Sequence, residues 1–151
     1  MTIEHRLYSL YRGLDRAKGK NTTLQSLDPK GKRKSKNQTV HAPYTVECWQ
    51  RHLAGEEGLG VVPITDESTC SWGAIDIDEY PLDLVALEDN VKKLKLPFVV
   101  LRTKSGGAHL TCYFTKMQSC REVRNKMAEA SFALGLGNRE FYPKQVQLAN
   151  E

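Results

Sequence analysis

The stretch Trp72-Gly-Ala-Ile-Asp-Ile-Asp78 closes an apolar run on two aspartates one residue apart. In an extended strand, side chains at i and i+2 point the same way. Asp76 and Asp78 therefore project from one face, and Ile75 and Ile77 from the other. Two carboxylates held that close repel, and each disfavours ionisation of the other unless a cation lies between them. Mg²⁺ or Mn²⁺ suits such a pair, because both take oxygen ligands and leave positions for water and substrate phosphates. The competing account is a strand that runs into a solvated acidic turn, "DIDEYPLD", with no ligand.

Outward from this strand the pattern alternates regularly. Pro81 opens a helix through about Lys95, with Leu84, Leu87 and Val91 on its core face. "PFVVLR" (97–102) reads as a buried strand, "TKSGG" as a glycine turn, and "AHLTCYFT" (108–115) as the partner strand. Gln118 or Ser119 begins a further helix with Val123, Met127, Ala130 and Leu134 in one stripe, stopped by Gly135 and Gly137. "REFYPKQVQL" (139–148) returns as a last strand. The order is β-α-β-β-α-β, which predicts an α+β, ferredoxin-like or RRM-like sheet whose first and third strands are adjacent and central. One sheet face lies under the two helices, and the other must be covered or used.

Upstream, Ile3, Leu7, Leu10, Tyr11 and Leu14 predict a helix over 2–14. Residues 15–43, rich in Lys, Asn, Ser, Thr and Gly, read as a long loop with room for a short hairpin. A second helix over 45–54 turns Val46, Trp49 and Leu53 inward, and "LGVVPI" (59–64) is a short strand. The length of 151 residues predicts a single domain, in which helices and a basic loop (1–58) precede the core (59–151).

No apolar run approaches the roughly 18 residues that span a bilayer, and the N-terminus has no signal-peptide core. This predicts a cytoplasmic protein (of a bacterium or a phage-infected host) with no membrane partner. Cys48, Cys70, Cys112 and Cys120 show no C-x-x-C spacing and read as reduced thiols. Between Arg16 and Lys36 lie eight bases (Arg16, Lys18, Lys20, Lys30, Lys32, Arg33, Lys34, Lys36) and one acid, Asp28. That segment carries +7 of a net +4, leaving the remainder at −3. A basic loop on a mildly acidic body suits contact with nucleic-acid phosphates, and equally a solvated loop with no partner.

In "LRTKSGGAHL", Gly106 and Gly107 let the backbone approach closely at a strand connection, with Lys104 and Ser105 beside them and His109 on the next strand. Backbone N–H groups, a lysine and a hydroxyl make a phosphate cradle; a plain Gly-Gly hairpin explains the same residues. In "REFYPKQ", Pro143 marks an edge or a bulge, which would bring Lys144 to a phosphate and Gln145 to a base or sugar; an edge strand guarded by charge explains the same residues. Walker A, Rossmann and nucleophile-elbow patterns are absent.

Taken together, "GAIDID", then "SGGAH" carrying a small-x-His motif at Gly107-Ala108-His109, then "FYPKQ", resemble the archaeo-eukaryotic primase superfamily, in the branch found in phages and mobile elements. "HLAGEEGLGVVPI" is similar to the same branch, so the resemblance spans roughly His52 to Gln145. It implies a primase–polymerase that makes primers from nucleoside triphosphates on a single-stranded DNA template, with a helicase or other replication protein as partner. By the same resemblance, Asp76 and Asp78 are the catalytic, metal-binding acids. His109 contacts the triphosphate, and Lys104, Ser105, Gly106, Gly107 and Lys144 line the nucleotide site.

One departure stands out. Relatives carry a third acid on a later strand, for which Glu140 is the internal candidate and Glu151 the last residue. The chain ends shortly after "PKQ", where relatives continue, so the core is expected to be truncated at its C-terminus. An incomplete domain that binds nucleic acid or protein without turnover is the alternative. A metal-dependent nuclease ranks last, because it leaves SGG-x-His unexplained.

Overall fold

A computed structural model describes residues 1–29, 31 and 33–148. Lys30, Lys32 and Glu151, singled out above, lie outside the described residues. The fold is α+β, with helices α1 (Ile3–Leu10), α2 (Val46–Leu53), α3 (Leu84–Lys93) and α4 (Cys120–Ala133). The strands are β1 (Lys18–Leu27), β2 (Arg33–Val40), β3 (Gly58–Gly60), β4 (Thr69–Ile77), β5 (Val99–Arg102), β6 (Ala108–Ser119) and β7 (Glu140–Tyr142). They form two antiparallel sheets, β2-β1-β3 and β5-β6-β4-β7. The four-stranded sheet has its first and third strands, β4 and β6, side by side at the centre, as the β-α-β-β-α-β order requires.

Ile75 and Ile77 are fully buried, in a core with Leu110, Val123, Met127, Leu87 and Val91. A fully buried aliphatic side chain contributes about 1.5–3 kcal/mol, so this alternation anchors β4 and fixes which way its acids face. α3 starts later than Pro81 suggests, because Asp83 caps it by accepting the Ala86 N–H at 3.0 Å.

The opposite face of the four-stranded sheet is covered at one end only. There Trp72 stands opposite Tyr113. Tyr11, just past α1, packs edge-on against both rings at 5.2 and 5.4 Å. Trp72 Nε1 donates to the Arg12 carbonyl, and Tyr113 donates to the Tyr11 hydroxyl. Two residues further along β4, Ala74 is still buried; two further again is Asp76, at the uncovered end.

Several expectations change. Where a long loop is expected, Lys18–Leu27 and Arg33–Val40 are the paired strands of a β-hairpin, in register from Lys18–Val40 to Leu27–Arg33. "LGVVPI" is not one strand: Gly58–Gly60 pairs with β1, and Ile64 is buried in the core. In α2 the buried residues are Cys48 and Trp49, while Leu53 is exposed. β5 is an edge strand with Val99 half exposed, and β7 spans only three residues before Pro143. All four cysteines are buried thiols.

Candidate active site

Register across the four-stranded sheet brings the site together. Asp76 pairs with His109 on β6 and with Glu140 on β7, and His109 pairs with Leu101 on β5. Directly opposed residues of antiparallel strands share a face with Cβ atoms about 4.5–5.5 Å apart. Glu140, Asp76 and His109 therefore form one row across the open end of the sheet. His109 Nε2 lies 3.4 Å from Asp76 Oδ1. Asp78 follows just past the end of β4, exposed.

The electrostatics mark Asp76 as the centre. Burial raises its carboxyl above the ordinary value, and Glu140 and Asp78 push it the same way, against the opposing pull of His109 and Lys144. Among the described residues, no three His, Cys, Asp or Glu side chains gather tightly enough to hold a metal by themselves. The donor set fits an open site, with hard oxygen ligands from the protein and remaining positions for water and substrate, which is how Mg²⁺ and Mn²⁺ bind.

The glycine turn sits beside this row. Its ends are closed by Thr103 N–H to the Gly107 carbonyl and Gly106 N–H to the Thr103 carbonyl, both 3.0 Å. Gly106 has φ +96°, and a Cβ on Gly107 would lie 2.3 Å from the Ile77 carbonyl oxygen. These two positions let the turn lie directly on the end of β4. The Gly106 N–H is engaged within the turn, and the Lys104 and Ser105 side chains beside it are exposed. Tyr80, which the sequence reading did not single out, bonds both Asp78 and Ser105 and ties the two motifs together.

Lys144 is ion-paired with Glu140 and lies 5.2 Å from the Tyr142 ring centre. Hydrogen bonding to Glu140 holds its ammonium above the ordinary range. The basic residues divide into two groups. Arg16 pairs with Asp66 at 2.9 Å, Lys18 donates to Cys48 Sγ at 3.1 Å, and Lys20 lies 3.7 Å from Glu57. Arg33, Lys34 and Lys36 are exposed on β2. The hairpin base is thus tied into the protein, and its outer strand presents cations to solvent. Among the described residues no helix is long and apolar enough to cross a membrane.

No curated protein matches the chain. A family profile described as "TOTE conflict system, Archaeo-Eukaryotic Primase domain" matches residues 14–139. The match takes in the hairpin, the D-x-D strand and SGG-x-His, and ends one residue before Glu140. The chain belongs to this archaeo-eukaryotic primase family, within the primase-like nucleotidyltransferase superfamily.

Proposed function

We propose that the chain is the nucleotidyl-transfer core of a DNA-dependent primase–polymerase, joining nucleoside triphosphates on a single-stranded template. The observation that carries this reading is the row Glu140–Asp76–His109, in register on three adjacent strands, with Asp78 and the SGG turn at the same sheet end. Asp76 and Asp78 would hold Mg²⁺ or Mn²⁺, with Glu140 as the additional acid. The cation supplies charge neutralisation for the triphosphate and activation of the attacking 3′-hydroxyl.

The protein groups have separate tasks. His109, half exposed on the rim, offers an imidazole N–H to a phosphate oxygen. Lys104 and Ser105 bring a cation and a hydroxyl donor to the same triphosphate. Gly106 and Gly107 keep the turn low enough for it to lie between. Lys144, held against Glu140, is positioned to exchange that carboxylate for a phosphate.

Template and labelled nucleotide incubated with Mg²⁺ or Mn²⁺ should give primer products with the wild type. Asp76→Ala with Asp78→Ala should give none, with unchanged far-UV circular dichroism. Titration calorimetry with Mn²⁺ and a nucleoside triphosphate should lose its heat in the same variant; equal heats would refute the metal assignment. A second reading, binding without turnover, is favoured by one observation: Glu140 and Asp78 are each already held, by Lys144 and Tyr80. DNA binding with no synthesis under any metal would select it.

A further inference from the structure

Behind Glu140 the surface opens into a cleft of about 520 Å³ between the hairpin and the segment Tyr142–Gln145. Asn21, Asn37 and Thr39 stand on the hairpin side, Lys144 and Gln145 on the other, and none of the lining residues is acidic. A second cleft of about 980 Å³ adjoins it, sharing Thr39, Val62 and Gln145, so that the two make a continuous groove. We propose that this groove holds the single-stranded DNA template, with Asn21, Asn37, Thr39 and Gln145 contacting its bases and sugars and Lys144 receiving it at the carboxylate row.

Register separates the two faces of the hairpin. Asn21 pairs with Asn37 and Gly19 with Thr39, while Thr22 pairs with Lys36 and Lys20 with Gln38. Asn21, Asn37 and Thr39 therefore share the groove face and Lys34 and Lys36 lie on the other, while at the hairpin base Lys20 and Gln38 also border the cleft. At the base of that lysine face, Lys18 is held by Cys48 and Lys20 lies beside Glu57. The groove face is the one that reaches the active site, through Tyr142 and Lys144.

Its chemistry suits an unpaired strand better than a duplex. Asn21 donates to Asn37, which aligns two amides whose remaining donor and acceptor edges match a nucleobase edge. The floor includes Gly19 and Gly60, where a Cβ would meet the opposing backbone at 3.1 Å. The first cleft presents no acid to a phosphate, and in the second the one acid, Asp66, is paired with Arg16.

The proposal rests on the template-directed reading above, but it can be tested without catalysis. Fluorescence anisotropy with a labelled mixed-sequence oligodeoxynucleotide, in EDTA and without nucleotide, reads strand binding alone. Asn37→Asp with Thr39→Glu puts two negative charges into the groove and should weaken binding by about tenfold or more. Lys34→Glu with Lys36→Glu, on the opposite face, should cost less. Asp76→Ala with Asp78→Ala should bind at least as tightly as wild type, because two carboxylates that repel phosphates are gone, and this separates a failed groove from a failed metal site. Thermal melts establish that each variant is folded. Unchanged binding by the Asn37/Thr39 variant, a larger loss in the Lys34/Lys36 variant, equal affinity for duplex and single strand, or no wild-type binding would each overturn the proposal.

Discussion

The Tyr80 hydroxyl lies 2.6 Å from Ser105 Oγ and also bonds the Asp78 carboxylate, so one side chain joins the D-x-D strand end to the glycine turn. A hydrogen bond to a carboxylate withdraws electron density from the oxygen that would bind a cation. Tyr80→Phe should therefore tighten Mn²⁺ binding by about threefold to tenfold, the gain held down by the exposure of the bond it removes. Titration calorimetry against Ser105→Ala, which keeps the bond to Asp78, checks it. Equal affinities in wild type and Tyr80→Phe would deny the bond any hold on Asp78.

Asp76 carries a raised pKa in the folded chain, from burial first and from the neighbouring carboxylates next. Its ionised form therefore costs stability. The cost is absent below the ordinary carboxylate range and grows as pH rises through the folded-state value. In the metal-free protein, Asp76→Asn should melt higher than wild type at neutral pH, with the gap closing toward pH 4. For a chain of this size 1 kcal/mol corresponds to roughly 2–4 °C. A gap that widens on acidification would reverse the assigned sign.

Gly107 has no space for a side chain, because the Ile77 carbonyl occupies the Cβ position. Gly107→Ala should destabilise by about 1–3 kcal/mol in urea denaturation, as other overpacked sites do. It should also lift the turn and weaken triphosphate binding. Gly135→Ala, in open space at φ +72°, carries backbone strain alone and should leave triphosphate binding untouched.

The Tyr44 hydroxyl is buried between two partners. Trp49 Nε1 donates to it at 2.7 Å, and it donates to the Tyr11 carbonyl at 2.9 Å. Burial pushes its ionisation up to about 12. Tyr44→Phe leaves an indole N–H and a carbonyl unsatisfied and should cost about 1–3 kcal/mol. The loss should appear in chemical denaturation, with little change in far-UV signal.

The legible part of the fold was the part with apolar alternation. Ile75 and Ile77 against Asp76 and Asp78 oriented β4, and the glycine turn before His109 located its neighbour. The hairpin was not legible. Its strands are polar on both faces, with Lys18, Lys20 and Lys36 on one and Asn21, Asn37 and Thr39 on the other, so the two-residue hydrophobic period that betrays a strand is missing. Glu140 was visible only as a candidate, because its place opposite Asp76 depends on the register of a three-residue edge strand. Tyr80 left no signal beyond lying two residues after Asp78. Its role arises from a turn that folds the ring back toward Gly106, 3.9 Å from where a Cβ would stand.

Only Gly19, Lys20 and Asn21 of β1 have a third strand beside them; from Thr22 to Leu27 the ribbon is two strands wide. A two-stranded ribbon in water holds its amides weakly. Hydrogen–deuterium exchange should therefore run fast at the outer end of the arm and slow abruptly at Asn21. A ligand seated along its inner face would move that boundary outward, strand pair by strand pair.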